Sequence, residues 1–338
     1  MLNSAVQHIL RQSCRDENKP LNILTFPTHE RYETNLAKTG HNFYAFRGEG
    51  IKDWNSIYSL LPENYMLLDP SQGMDQIPRH VDFDIVLSQN KAGQFQLAKQ
   101  FSELMHVPLL SLEHTLPYPQ WDEEILKSMR NMRGHFNVFI SEYSYNAWGW
   151  KVENDTGVVH HGIDTEQFKP DSSIEREDHA LSVVNDWVNR DWCCGFRIWQ
   201  NVIEDLPNRV VGDTPGLSEP SKTTEDLVKE YQSSRIFLNT STISPVPTAL
   251  LEAMACGCAI VSTSTCMIPE IIDNEVNGFI SNDPKQLKQY VIDLLNDEDL
   301  AIEMGKKARE TVLKKFSLES FIKTWNKVFG MTSNFSVW

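Results

Sequence analysis

Short apolar runs recur along the whole chain, each separated from the next by a longer helical or polar stretch, and this rhythm constrains the fold more than any other feature. A short strand followed by a crossover of about a dozen residues or more pairs in parallel with its neighbours, with helices covering the sheet faces. In the first half the runs are Leu21–Phe26, Asp84–Leu87, Pro108–Leu112, Asn137–Ile140 and Gly157–His160. In the second they are Leu181–Val184, Arg209–Val211, Arg235–Asn239, Ala259–Ser262 and Gly278–Ile280. The pattern predicts two open α/β units in tandem, and 338 residues exceed what a single core usually supports. The join is expected just after the turn His161-Gly162-Ile163-Asp164, with the polar stretch Asp171–Asp178 as linker or loop.

Composition narrows the function classes. With 41% hydrophobic residues the chain is globular, and its net charge of −15 is spread over both halves, so neither is a basic module that holds nucleic acid by bulk electrostatics. The six cysteines, Cys14, Cys193, Cys194, Cys256, Cys258 and Cys266, form no C-x-x-C pair and read as reduced thiols of a cytoplasmic protein. Met1–Lys19 is polar, with Arg11, Arg15, Asp16 and Glu17, and is not a secretory signal. No apolar run reaches the roughly 18 residues that span a bilayer. From Asp283 to Phe329 the pattern is helical, with Leu287, Tyr290, Val291, Leu294 and Leu295, then Phe316, Phe321, Trp325 and Phe329 at near-helical spacing. The basic excess between Gly305 and Lys327 is either a solvated helix face or a weak contact with a membrane surface or another anion.

The most informative stretch is Ser244-Pro245-Val246-Pro247-Thr248-Ala249-Leu250-Leu251-Glu252-Ala253-Met254-Ala255-Cys256-Gly257. It follows an expected strand, passes a Pro-rich turn and opens a helix that ends near Gly257. The first amides of that helix, around Thr248, Ala249 and Leu250, lack intrahelical acceptors and lie at the positive end of its dipole, a ready site for a diphosphate. Glu252 follows one turn later, where a carboxylate can accept two hydrogen bonds from a ribose diol.

The run Leu250–Ser262, with Ile268-Pro269-Glu270-Ile271-Ile272 and Asn277-Gly278-Phe279, closely resembles the donor-site signature of family 4 (group 1) glycosyltransferases. Val210–Pro215, Ile236–Ser241, the segment Val158–Pro170 and the run Phe316–Trp325 resemble further parts of the same template, which covers most of residues 155–329; the first half matches only loosely. The resemblance implies an α/β GT-B fold: two Rossmann-like domains with a cleft between them and a C-terminal helix crossing back. The implied bounds are 1–165 for an acceptor domain, 166–315 for a nucleotide-sugar donor domain, and 316–338 for the returning helix.

Two departures stand out. Where the family has a first glutamate that touches sugar hydroxyls, this chain has Ser244, and Pro247 replaces the usual glycine of the loop. In place of the family's Arg and Lys that neutralise the leaving diphosphate, Asn189–Arg197 offers Arg190 as the matching arginine and no lysine. Arg197 either supplies the second charge, a workable exchange because guanidinium forks onto phosphate oxygens, or serves the surface. Gly212 ends the strand that lies beside the nucleotide in the family. In the N-terminal half His29, Glu30 and Arg31 follow the first strand and are candidate acceptor contacts, at the carboxyl end where ligands gather. His114, after another strand, resembles the histidine that approaches the donor sugar. Ser141 and Ser144 resemble a positioning pair.

The resemblance implies a retaining hexosyl- or pentosyltransferase that moves sugar from a nucleoside diphosphate, UDP above others, to an acceptor hydroxyl. His114, Arg190 and Glu252 form its catalytic set, with Arg190, Arg197, Gly212, Ser244, Thr248, Ala249, Leu250 and Glu252 on the donor. No resident cofactor or metal is implied, since guanidinium groups and helix amides take up the charge. Asp82-Phe83-Asp84 reads as a strand entry rather than a metal motif. The acceptor stays open among a glycan, a small molecule and hydroxymethylated DNA. DNA would call on Arg31, Lys38, Arg47, Lys52, Arg130 and Arg133, and on base flipping. A non-catalytic GT-B-like binding protein is the reading from another class. No G-x-G-x-x-G follows any expected strand, which speaks against a nicotinamide dehydrogenase.

Overall fold

The computed structural model describes residues 19–47, 53–72, 74–78, 81–151 and 153–335. Cys14, Lys52 and the charged residues Arg11, Arg15, Asp16 and Glu17 lie outside them. The chain divides into two units, one up to Val159 and again from Phe321, the other from His160 to Ser320.

The first unit is built on a seven-stranded, all-parallel sheet of β1 (Asn22–Thr25), β2 (Asn42–Phe46), β3 (Tyr65–Leu68), β4 (Ile85–Ser88), β5 (Leu109–Glu113), β6 (Phe136–Phe139) and β7 (Thr156–Val158), in the order β3-β2-β1-β4-β5-β6-β7. The order reverses between β1 and β4, the switch point at which α/β sheets open a crevice beyond the strand ends. β1, β4, β5 and β6 are near-continuously buried runs, as the parallel pairing demands. β2 and β3 were not expected from the sequence. Both are only four or five residues long, and Met66 on the outermost strand β3 is 41% exposed, so neither carries a clean apolar pattern.

The last helix, Leu318–Ser333, completes this unit from the far end of the chain. Phe321 meets the ring of Tyr32 edge-on at 5.5 Å, and Phe329 packs against His41 and Phe43. Phe321, Trp325 and Phe329 are buried, so the expected apolar stripe is the face laid against the sheet layer. Burying three aromatic side chains supplies on the order of 5–10 kcal/mol against their exposure.

The second unit holds a five-stranded parallel sheet of β8 (Glu177–Val183), β9 (Asn208–Val211), β10 (Ser234–Asn239), β11 (Ala259–Ser262) and β12 (Phe279–Ile280), in the order β12-β11-β10-β8-β9. Its switch point lies between β8 and β10. The polar stretch Asp171–Asp178, expected as linker or loop, lies within this unit: Glu177 opens β8, and Arg176 donates to the carbonyls of Ser234 and Cys256. The helices Pro284–Asn296 and Glu298–Lys315 bury Leu287, Val291 and Leu294, then Ala301, Met304, Ala308 and Val312, against the sheet and the helix Thr248–Ala255. Within the basic stretch, Arg309 donates to the carbonyls of Phe168, Ala255 and Thr165, a packing role rather than a solvated one. Among the described residues no helix is long and apolar enough to cross a membrane.

Candidate functional site

At the carboxyl ends of β8, β9 and β10 three loops are laced together. After β8, Asn185 accepts the amide of Asp213 at 2.8 Å, and Asp186 N–H donates to the Asp213 carbonyl at 2.7 Å. Trp187, fully buried, donates through its amide to Thr214 Oγ1 and through Nε1 to the Cys194 carbonyl. The amides of Thr242 and Ile243 both donate to the Cys193 carbonyl, and Thr240 Oγ1 donates to the Gly195 carbonyl at 3.0 Å. Gly195 sits at φ +66, and a Cβ there would stand 2.0 Å from the Thr240 carbonyl oxygen. Gly212, at φ +137, approaches the Val184 carbonyl just as closely, 2.1 Å from where its Cβ would be. Only glycine permits both approaches.

These contacts position the donor-site candidates. Arg190 is exposed at the start of the short helix Asp191–Cys194, with its amide tied to the Asp186 carbonyl and its guanidinium 3.4 Å from the Asn185 carbonyl. Arg197 is 83% exposed and paired with Asp191 at 2.6 Å; the Arg197 amide and then the guanidinium hold the Asp191 carboxyl below its usual range. The expected helix after the Pro-rich turn is Thr248–Ala255, with Pro247 at its N-cap at φ −73 and offering no side-chain cap. Leu250 N–H donates to the Pro247 carbonyl at 3.1 Å, so the amides left open among the described residues are those of Thr248 and Ala249, rather than all three expected. Ser244 is half-buried in the loop before this helix. The helix ends as expected at Gly257, with Cys258 N–H donating to the Ala253 carbonyl at 3.0 Å. Glu252 is only 2% exposed, and Oε2 accepts from the Tyr231 hydroxyl at 2.9 Å. Tyr231 thus helps to set its orientation from inside the unit, and no motif spacing links the two residues.

In the first unit the switch point between β1 and β4 is filled by a polar network. Glu33, fully buried on the helix Glu30–Ala37, accepts from the Thr28 amide (2.9 Å) and hydroxyl (3.1 Å), from Tyr65 Oη (2.9 Å) and from Gln89 Nε2 (2.8 Å). Burial pushes its carboxyl up to about 7 against the lowering by those four donors. Gln89, just past β4, also donates to Thr25 Oγ1 (3.1 Å) and the Phe26 carbonyl (3.2 Å), and faces His114 Nε2 at 3.2 Å. His114 is half-buried beyond β5, with its ring against Tyr32 edge-on at 4.4 Å. Beside it Glu113, 1% exposed, accepts from the amides of Lys91 and Thr115 and from the Thr115 hydroxyl; burial raises its carboxyl. Lys91, 2% exposed, donates to the Met132 carbonyl under the Trp150 ring, and burial pulls its amine down to about 8.

The candidate acceptor residues are drawn into local structure. His29 caps its helix, Nδ1 accepting the Arg31 amide at 3.3 Å, and packs near Tyr58. Glu30 is 5% exposed and accepts the Asn55 amide at 2.8 Å. Arg31 is half-buried one residue on. Ser141 caps the helix Glu142–Ala147, its Oγ accepting the Ser144 amide at 3.0 Å. Of the arginines a nucleic-acid acceptor would use, Arg47 pairs with Asp53, Arg130 with Glu123 and the Trp148 carbonyl, and Arg133 with Glu153 while lying over the Trp150 ring. Asp84 accepts the Asn22 amide at 2.8 Å, which places Asp82-Phe83-Asp84 at a strand entry. Glu33, Gln89 and Lys91 belong to no motif, and the one signal for them is that Gln89-Asn90-Lys91 is a polar run directly after a buried strand.

The family model described as Glycosyl transferases group 1 matches residues 220–311. An uncharacterised glycosyltransferase of Methanocaldococcus jannaschii is 32% identical over 259 residues, covering 67% of this chain and 70% of that protein. The N-acetyl-alpha-D-glucosaminyl L-malate synthase of Bacillus anthracis is 35% identical over 82 residues, 24% of this chain; the match spans only 22% of that enzyme's length. Among solved structures, Anabaena HepE in complex with UDP has a TM-score of 0.72 at 15% identity, covering 93% of this chain and all of that one.

Proposed function

Because the chain belongs to the group 1 glycosyltransferases, we propose that it moves a sugar from a nucleoside diphosphate sugar, UDP-sugar foremost, to an acceptor hydroxyl, with retention at the anomeric carbon. The observation that carries this reading is the laced edge of the second unit, where the open amides of Thr248 and Ala249 and the exposed Arg190 sit on loops that bond directly to one another. A rigid array of donors aimed at a developing diphosphate stabilises the leaving group without reorganising during the reaction, and this favours a metal-independent transfer. UDP is the nucleotide in the HepE complex, whose fold this chain shares. Arg197 adds charge only once its pairing with Asp191 is shared with phosphate, so Arg190 takes the larger role. Glu252, held by Tyr231, meets the ribose, and Ser244 stands where the sugar is read.

The acceptor is bound by the first unit, through the strand ends around Thr28 and His114. A glycan or small-molecule hydroxyl is favoured over modified DNA, because Arg47, Arg130 and Arg133 are already engaged by carboxylates. The test is release of nucleoside diphosphate from a panel of nucleotide sugars. The enzyme should release it slowly without acceptor, and Glu252→Ala should abolish the release; a folded protein that turns over no donor would make it a binding protein instead. Ser244→Glu should shift donor preference, and an unchanged preference would remove that residue from sugar reading.

A further inference from the structure

A small pocket lies within the first unit beyond β1, walled by Trp54 and Leu67 and lined by Thr28, Glu30, Glu33 and Arg47. Its donors are already engaged. The Thr28 amide and hydroxyl both give to Glu33 Oε1, and the Arg47 guanidinium pairs with Asp53. Trp54 Nε1 donates to the Ser59 carbonyl at 2.8 Å, so the indole offers the pocket its ring and not its N–H. The acceptors differ. Glu33 has both oxygens filled, Oε1 by Thr28 and Gln89 and Oε2 by Tyr65. Glu30 is 5% exposed, with Oε1 taking the Asn55 amide at 2.8 Å, and among the described residues nothing donates to its Oε2. A carboxylate oxygen only accepts, and a buried one left unpaired is costly, so the group that meets Glu30 Oε2 must bring a proton.

We propose that this pocket takes an uncharged hydroxyl of the acceptor, on a sugar or polyol whose C–H edge lies against Trp54, and that Glu30 turns away acceptors carrying phosphate or carboxylate there. Glu30 opens the helix Glu30–Ala37, where the dipole by itself favours an anion. Its carboxylate, with that of Glu33 one turn on, reverses that preference. An ammonium would also satisfy Glu30, but it would share the pocket with the Arg47 guanidinium, which favours the hydroxyl. Calling the ligand the acceptor rests on the sugar-transfer reading above; the polarity of the pocket does not.

The test uses the full-length protein labelled with 15N-tryptophan, with the Trp54 indole N–H assigned through Trp54→Phe. That signal should move on titration with neutral probes, namely glycerol and the methyl glycosides of glucose, mannose and galactose. Glucuronate and glucose 6-phosphate should bind about tenfold or more weakly, as expected where like charges meet. Glu30→Gln keeps an oxygen for the Asn55 amide and puts an NH2 donor in place of Oε2. It should weaken the neutral probes about tenfold and strengthen the anionic ones. Silence of Trp54 with every neutral probe, or tighter binding of the anions, overturns the inference, as does a folded Glu30→Gln with the wild-type ranking. Glucosamine bound more tightly than the neutral glycosides also overturns it, in favour of an amine site. If Glu30→Gln does not fold, the wild-type ranking decides alone. Donor hydrolysis by the same sample keeps the two readings apart. A protein that turns over no donor fails the sugar-transfer reading; an active one whose Trp54 is silent or prefers anions fails this one.

Discussion

At the carboxyl ends of the first sheet Glu33, Gln89, Lys91 and Glu113 are all buried and bond to neighbouring segments, whereas at the same ends of the second sheet Arg190, Arg197 and Thr248 face solvent. Both units are doubly wound parallel sheets, so the architecture did not impose the difference. The first unit uses its switch point to orient a side chain through internal bonds. The second uses backbone lacing to hold an edge on which the Thr248 and Ala249 amides and Arg190 stay open to solvent. Buried polar networks depend on every member being satisfied, while an exposed cationic edge tolerates single losses in stability and shows them in binding.

The sharpest way to break the comparison is Gly195→Ala. With its Cβ forced to 2.0 Å from the Thr240 carbonyl at φ +66, the second unit should lose about 3 kcal/mol or more, with donor binding lost in parallel. Urea unfolding beside isothermal titration with UDP measures both, and wild-type binding would show that the loop lacing does not hold the site.

Next in size is the pH response of the first unit. Glu33 titrates near 7 when folded against an ordinary 4.5, so the folded state keeps a proton that the unfolded chain releases between those values. Its contribution is complete below pH 4.5 and is lost as pH rises through 7. Glu33→Gln, neutral throughout, should flatten the fall in stability over that interval by up to about 3 kcal/mol. Parallel stability curves for the two proteins would place the Glu33 titration elsewhere.

Tyr231→Phe should have a smaller effect, about 1–2 kcal/mol, from stripping a buried donor from Glu252. A raised donor KM should accompany it; an unaltered KM would mean that the orientation of Glu252 does not matter to the donor. Smallest is Arg197→Ala, within about 0.5 kcal/mol in stability because its pair with Asp191 is exposed. Here the donor KM is the informative reading, and no rise in it would assign Arg197 to the surface alone.

The second unit was legible because its chemistry is written locally. The run from Ser244 to Gly257 contains turn, helix start and helix stop in fourteen consecutive residues, and all its strands were foreseen to within a few positions. The first unit's site joins Thr28, Glu33, Tyr65, Gln89 and His114, residues up to 86 positions apart that meet only once the strand order is known. Two strands of that sheet, β2 and β3, were missed because four or five residues with an exposed Met66 show no periodicity. Partners such as Tyr231 for Glu252, or Gln89 for His114, are products of packing and leave no spacing to read.

The first unit is interrupted in sequence and the second is not, since the chain leaves the first at Val159 and returns at Phe321. During synthesis the ribosome therefore finishes the second unit while Tyr32 and Phe43 still lack the rings of Phe321 and Phe329 that cover them. The unit that begins first is the last to be fully synthesised, and its sheet waits about 160 residues of translation for the rings of Phe321 and Phe329.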